Sequence, residues 1–577
     1  MKRGKKMNKK LRKALALGLS CAMMASLLAG CGGKDNPSTS GSTSNGGAAT
    51  TGSEIIPYTS KLVEVTADTK SAKDTLVFGS NGAASGCFHP TLQYSNYDRE
   101  VIFLAFDRLV TKDAEGNYVP SLAESYTVSD DATTYTFKLR QDVKWQDGEP
   151  FTAEDVAFTY ETTCHPDFGK GYDEFSAALV GADAYHEGKA DHVEGIKVLD
   201  TYTVEFTFAN PYLDAMVKFI DKPVFAKHVW DTIPVGQWGD ATELLQHPVG
   251  TGPYKVVEYV PDQYVKMEAN PDYFKGEPLI KNFIFKVTNA ETRPNEMAAG
   301  DVDMGEVNAW RTENVKTYID NQIPIAEIPD VNAIYMVFDT TDPILSDVSV
   351  RQAILYAIDR QSIVDALQNG HGSVTNAPMK PSSPVYPDGL NDYAYSVDKA
   401  KELLAQAGWT DTDNDGFADK DGQKLHLTYT YSTSTENTQL AQVLQQYLKM
   451  AGIELELIAQ DFNTVLAMQK DSTQKFNIST MGATYRANMG YGGSNMWMSR
   501  FAKDAKEVEL LNAAAASHNM DEAKVNYGAW CEYQNEMVPQ PILYFRSQGY
   551  AVNPKLVNYQ PIQDEWFANV ETWYFEQ

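Results

Sequence analysis

Three short segments carry residue types and spacings that could do chemistry. The richest is 481–497, Met-Gly-Ala-Thr-Tyr-Arg-Ala-Asn-Met-Gly-Tyr-Gly-Gly-Ser-Asn-Met-Trp, which follows a strand-like run from Phe476 to Thr480. Its glycines allow close backbone approach, and Tyr485, Tyr491 and Trp497 offer ring faces for stacking. Arg486 can meet a carboxylate or phosphate-like group in a fork, with Asn488 beside it as a neutral donor and acceptor. The bland alternatives are a salt bridge for Arg486 and core packing for the rings, and both readings stay open. No acid lies between Met481 and Trp497.

The second segment, Asn81 to His89, ends in Cys87-Phe88-His89 after an apolar strand, so Phe88 and His89 are candidate ligand contacts. His89 alone makes no metal site, because such a site needs several convergent ligands; a hydrogen-bonded histidine beside Pro90 is the simpler reading. The third segment is 411–419, with Asp411, Asp413, Asp415 and Asp419 at positions 1, 3, 5 and 9 of a calcium-loop pattern. Gly416 stands at position 6, and Phe417 can supply a carbonyl at position 7. Position 12 is Gly422, where a bidentate glutamate would complete the pattern. The reading is a structural Ca2+ site or a solvated acidic turn, with no other cofactor required.

Nothing in the sequence forms a recognisable catalytic set. There is no G-x-S-x-G elbow, H-E-x-x-H pair, phosphate-binding Walker loop or C-x-x-C pair. Paired carboxylates need no local signature, so these absences do not exclude an enzyme.

The elements around these segments mix α and β. Tyr135, Phe137 and Leu139 alternate in one strand, and Val204, Phe206 and Phe208 nearly do so in another. Thr152-Ala-Glu-Asp155 between them is a capping box that starts a helix. Further on, Val350, Ala353, Ile354 and Ala357 recur at helical spacing, as do Ala400, Leu403, Leu404 and Ala407 before Gly408. A strand at 425–431, a helix through Leu440, Leu444 and Leu448 stopped by Gly452, and a strand from Ile453 make a βαβ unit with a parallel pair. Ligands of open α/β sheets bind beyond the carboxyl ends of strands.

The N-terminus begins with eight Lys and Arg residues between Lys2 and Lys13, then an apolar run from Ala14 to Ala29. That is a secretory leader, over residues 1–30, too short to span a bilayer. Leu28-Ala29-Gly30-Cys31 resembles the bacterial lipobox, which implies lipidation at Cys31 and a membrane anchor. Residues 31–72 begin with a Gly, Ser, Thr and Asn-rich stretch that reads as a flexible tether. The net charge of -28 becomes about -36 once the leader's eight cations are removed, which argues against nucleic acid as a partner. Cys87, Cys164 and Cys531 remain in the body, an odd number at wide spacing, and no disulfide is expected.

Several blocks in register bring a family into view: Pro120 to Tyr126, Thr134 to Arg140, Val143 to Gly148, Phe151 to Val156, Pro248 to Tyr254, Asn270 to Gly276, Val350-Arg-Gln-Ala353 with Ala357-Ile-Asp-Arg360, and Lys399 to Leu404 with Ala407-Gly-Trp409. From about residue 75 onward the chain resembles the extracellular solute-binding proteins of family 5, which serve oligopeptide, dipeptide and nickel ABC transporters. The resemblance implies an α/β, two-lobed periplasmic-binding-protein-like fold with an extra inserted domain and a ligand cleft between the lobes. Carried onto this chain, lobe I takes 73–112, 246–327 and 541–577, the inserted domain 113–245, and lobe II 328–540. It also implies permease subunits as partners and a peptide as ligand, with an oligosaccharide next and a metal chelate third. The 481–497 loop would line the cleft. Peptide-binding members commonly place an aspartate there for the free amino group, and this loop has none. The expectation of a binding protein and not an enzyme rests on this resemblance, and a cell-surface hydrolase is the alternative of another class. Lipobox and tether suit the extracellular face of a Gram-positive membrane.

Overall fold

The protein, seen as a computed structural model, is described for residues 55–577 except 94, 170–171, 214, 308–309, 471–473, 485–504 and 564, with backbone alone at 312 and 470. Cys31 lies outside the described residues, as do Tyr485, Arg486, Asn488, Tyr491 and Trp497.

The strands in chain order begin with β1 (Thr75–Ser80), β2 (Val110–Lys112) and β3 (Tyr118–Pro120). Next come β4 (Ala123–Val128), β5 (Thr134–Leu139), β6 (Ile196–Asp200) and β7 (Thr203–Thr207). These last four form an antiparallel sheet ordered β4-β5-β7-β6. The helix Ala153–Thr162, begun by the Thr152–Asp155 capping box, packs on it. β8 (Tyr254–Val260), β9 (Tyr264–Ala269), β10 (Asn282–Val287), β11 (Met304–Val307) and β12 (Ile325–Phe338) follow. After β13 (Gly372–Ser373) come a small hairpin, β14 (Asp419–Lys420) with β15 (Gln423–Lys424), then β16 (His426–Ser432), β17 (Glu454–Gln460), β18 (Ile478–Thr484) and β19 (Ile542–Val552).

The large sheet runs β17-β16-β18-β12-β19-β11-β1-β10-β9-β8, with β13 beside β19. β16 pairs in parallel with both β17 and β18. The parallel β16–β17 pair is joined by the helix Thr435–Met450, and Gly452, at φ 87°, turns the chain out of that helix. Gly408 does the same after Val397–Gln406, at φ 90°. The β18 strand continues to Thr484, so Met481 to Thr484, read from sequence as loop, pair with Asn332 to Tyr335. Ladder hydrogen bonds to β12 outweigh the weak strand preference of Gly482.

The two largest of the hydrophobic clusters lie along this sheet, and β12 and β19 feed both. Ala326, Ile328, Tyr550 and Val552 join the core containing β1, β10 and the four-stranded sheet. Met336, Phe338, Leu543 and Tyr544 join the core under β16, β17 and the helices of the second half. The 14-residue β12 and 11-residue β19 therefore act as paired crossing strands. Their pairing slips between Ile328 and Asn332, where Asp330 adopts φ 56°.

The Pro248–Tyr254 block is a close approach as well as a turn. A Cβ on Gly250 would lie 1.8 Å from the Ala105 carbonyl oxygen, and Gly252 N–H donates to that same oxygen at 2.9 Å. Only glycine allows this contact at the end of the helix Asn96–Ala105.

Candidate functional site

The strand register defines a crevice. β1 and β11 run in parallel and end at Ser80 and Val307, and Val307 pairs with Gly549. From the other side β16 and β18 end at Ser432 and Thr484, and Thr484 pairs with Asn332. The carboxyl ends of strands from the two cores therefore point toward each other across the short stretch Ile328–Asn332 and Arg546–Gln548. This is the position at which open α/β sheets bind ligands.

Charged side chains gather on this floor. Glu436 sits in the first turn of the helix after β16 and accepts from Arg546 Nη1 at 3.1 Å and Gln368 Nε2 at 2.7 Å. Glu327 Oε2 lies 3.0 Å from His371 Nδ1, and that contact holds its carboxyl below the usual range against the effect of burial. Asp330 accepts from Ser373 Oγ at 2.5 Å. Glu306, at the end of β11, accepts from Asn81 Nδ2 at 2.5 Å and Gln548 Nε2 at 2.9 Å. Burial raises the Glu306 carboxyl, opposed by the positive charge of Arg293. Arg293 is itself fully enclosed and donates to the Glu306 carbonyl and to Asn81. Glu100 stands behind this group, pushed well above the usual carboxylate range by burial and by the charge of Glu306. The described floor is thus rich in carboxylates, with Arg546 as its partly exposed cation.

Of the residues singled out from sequence, Phe88 and His89 are buried. They are 0% and 1% exposed. The chain after Asn81 turns inward because Phe88 N–H donates to the Leu245 carbonyl at 2.9 Å, which draws the loop under the segment 215–246. There the His89 ring meets Trp230 at 4.5 Å, Phe225 at 4.7 Å and Trp238 at 5.3 Å, and burial lowers its pKa to about 3. Asn81 itself does reach the floor, through Glu306.

The acidic loop is partly convergent. Carboxylate oxygens of Asp411, Asp413 and Asp419 lie within 4.8 Å of one another. Asp415 is turned to Lys424 Nζ at 2.5 Å, and that ammonium also lies 4.7 Å from the centre of the Phe417 ring. Cys87, Cys164 and Cys531 are buried. Sequence reading missed Glu306, Glu327, Asp330, Glu436 and Arg546. Glu436 carried a usable signal, since it opens a helix directly after a parallel strand.

Two cores, a pair of crossing strands and a polar crevice between opposed strand ends define a two-lobed solute-binding fold. Residues 117–505 match the family described as bacterial extracellular solute-binding proteins, family 5 Middle, and the chain belongs to that family. The Oligopeptide-binding protein AppA of Bacillus subtilis (strain 168) is 26% identical over 518 residues, covering 86% of this chain and 91% of that protein. The Dipeptide-binding protein of Escherichia coli (strain K12) is 28% identical, covering 83% of this chain and 85% of its own length. The solved structure of AppA from Bacillus subtilis in complex with a nonapeptide superposes with a TM-score of 0.70 at 25% identity, covering 88% of this chain and 100% of that one. Among the described residues no helix is long and apolar enough to cross a membrane.

Proposed function

We propose that this chain is the substrate-binding lipoprotein of an ABC uptake transporter. It captures an oligopeptide or dipeptide between two closing lobes and delivers it to permease subunits. The observation that carries this reading is the crevice floor on β12 and β19, where Glu306, Glu327, Asp330 and Glu436 stand near Arg546. A peptide ammonium finds carboxylates there even though the 481–497 loop has no acid, and Arg546 can take a peptide carboxylate. The two relatives above, an oligopeptide-binding and a dipeptide-binding protein, support a peptide as the solute. A ligand that touches both sides of the crevice favours the closed arrangement by its differential contacts, and closure is what a permease can recognise. Binding leaves the solute chemically unchanged.

The test is to purify the body without its leader, denature it and identify by mass spectrometry what it releases. A peptide near one per protein supports the reading. An oligosaccharide or a metal chelate would replace the substrate class, and fragments accumulating on incubation would replace binding with hydrolysis. Anchoring at Cys31 on the extracellular face of the membrane is part of the same proposal. Its check is the mass of the N-terminal peptide from membranes, with Cys31→Ser expected to shed the protein into the medium.

A further inference from the structure

The stretch from Ile55 to Lys73 is bonded to the body as a strap. Ile325 N–H donates to the Ile56 carbonyl at 2.8 Å, and Tyr58 N–H donates to the Ile325 carbonyl at 2.9 Å. The Tyr58 ring lies 5.4 Å from that of Tyr559, and Ala72 N–H donates to the Phe575 carbonyl at 2.8 Å. Between these points Asn558 grips the strap by its backbone. Its Oδ1 accepts from Val63 N–H at 2.7 Å and its Nδ2 donates to the Val63 carbonyl at 3.1 Å. Its own N–H donates to the Lys61 carbonyl at 2.9 Å. Tyr559 and Phe575 belong to the core around β1, so the strap is fixed to that half.

A grip on the backbone leaves the side chains outside. Leu62 is 60% exposed, Val63 52% and Val65 36%. Among the described residues no other four-residue stretch exposes three large apolar side chains. Apolar residues exposed singly need no explanation, but three on one bonded strap do.

What lies near them is set by where the chain comes from. Lipidation falls on Cys31 in the reading above, and 23 residues separate it from Ile55. A Gly- and Ser-rich chain of that length has an r.m.s. span of about 24–29 Å. An anchor at Cys31 thus keeps the strap beside the bilayer, at an effective concentration that no free partner has. Charge points the same way. A chain of net charge -28 is repelled by anionic headgroups, but over 55–73 Lys61, Lys70 and Lys73 stand against Glu64 and Asp68. Counting Glu576 and Asp303, the ion-pair partners of Lys61 and Lys73, leaves the strap within one charge of neutral. It can approach headgroups without that repulsion.

We infer that the strap is a membrane-contacting surface, with Leu62, Val63 and Val65 seated in the interfacial region of the bilayer that holds Cys31. An apolar contact of this size is too small to bind lipid alone, and it suffices once an anchor is supplied. The contact holds the half around β1 against the membrane.

The inference rests on anchoring at Cys31, so the test supplies that anchor chemically. The leader-free chain is coupled through Cys31 to a maleimide lipid in phosphatidylcholine vesicles; Cys87, Cys164 and Cys531 are buried, out of the reagent's reach. Amide hydrogen exchange is then read over residues 60–66. Slowing of at least about threefold is expected, the effect of a contact held two-thirds of the time. A variant carrying Leu62→Ser, Val63→Ser and Val65→Ser should lose the slowing and keep its urea midpoint. Chain coupled to a soluble polyethylene glycol maleimide should show none. Unchanged exchange on vesicles, equal slowing on polyethylene glycol or undiminished slowing in the triple variant would each overturn the proposal. So would slowing in the uncoupled chain that grows with protein concentration, which would assign the run to a second copy. If the variant does not fold, the comparison of vesicle and polyethylene glycol on unaltered protein decides it. Because coupling replaces the cell's own lipidation, a Cys31 never lipidated in cells would undo the anchoring reading and leave this result unchanged.

Discussion

The imidazole of His371 lies flat on the indole of Trp310, with ring centroids 3.9 Å apart and planes inclined by 17°. Trp310 belongs to the cluster formed with Val302, Val307 and Tyr318, whereas His371 follows the helix Arg360–Leu367 of the second core. The pair bridges the two halves beside the crossing strands. It is tied to both: Trp310 Nε1 donates to the Ser547 carbonyl at 2.9 Å, and His371 meets Glu327 at 3.0 Å.

Removing either ring should therefore weaken the same contact. Trp310 is 1% exposed, so Trp310→Ala is expected to cost about 3–5 kcal/mol of stability. His371→Ala should cost less. In a double-mutant cycle by urea unfolding, the two should couple by about 0.5–1.5 kcal/mol. Additive losses would show that the stack contributes nothing of its own.

Asp330 holds φ 56° at the slip in the β12–β19 pairing. Asp330→Val puts a β-branched residue in left-handed backbone and should cost about 1–3 kcal/mol. Asp330→Gly fits that backbone and gives up the hydrogen bond from Ser373, which the valine gives up too, so it should cost about 1–3 kcal/mol less than Asp330→Val. Chemical denaturation of the pair checks this, and equal losses would rule out backbone conformation as the cause.

Acid stability should report His89. Burial lowers its pKa to about 3 from an ordinary value of 6.5, so the unfolded chain takes up a proton at a pH where the folded chain does not. Stability from this group is complete above pH 6.5 and is lost as pH falls toward 3, by about 1.4 kcal/mol per unit. His89→Phe should flatten the stability profile over that window, seen as a lower midpoint of acid unfolding. An unchanged midpoint would mean that the ring reaches solvent before the protein unfolds.

Glu100 should act in the opposite direction. Its carboxyl is raised well above its ordinary 4.5, so the folded state holds a proton that the unfolded state has released. That contribution is complete below pH 4.5 and is lost as pH climbs through the raised value. Glu100→Gln should therefore stabilise the protein at pH 8 and change little at pH 4, as read from urea midpoints. A destabilised variant at pH 8 would assign the ionised carboxylate a needed partner.

The Glu436–Arg546 pair bears on ligand capture. Arg546→Gln should weaken binding of the released ligand at least tenfold, the scale of a charge-assisted hydrogen bond worth about 1.5–3 kcal/mol. Calorimetry on the protein after denaturation and refolding measures it. Undiminished affinity would move the ligand's contacts off this floor.

Much of the local structure was legible before any coordinates. The Thr152–Asp155 capping box, the Gly408 and Gly452 stops and the parallel pair around Thr435–Met450 all lie where residue periodicity and end signals put them. The site was less legible. Phe88 and His89 follow a strand, as cleft residues would, yet an aromatic pocket built from Phe225, Trp230 and Trp238 took the histidine inside. No local pattern marks a polar ring that will be buried among residues more than a hundred positions away.

What the sequence determined by itself is whatever depends on near neighbours: helix ends, strand alternation, the acidic loop's spacing, the leader and the family resemblance. Tertiary structure alone decided that β12 and β19 cross between two cores and that Glu306, Glu327, Glu436 and Arg546 meet at their bend. Those partners are brought together by strand register, and register is set by burying both faces of a sheet whose neighbours are distant in the chain. Pairing of that kind is a property of the whole fold, so no window of residues could contain it.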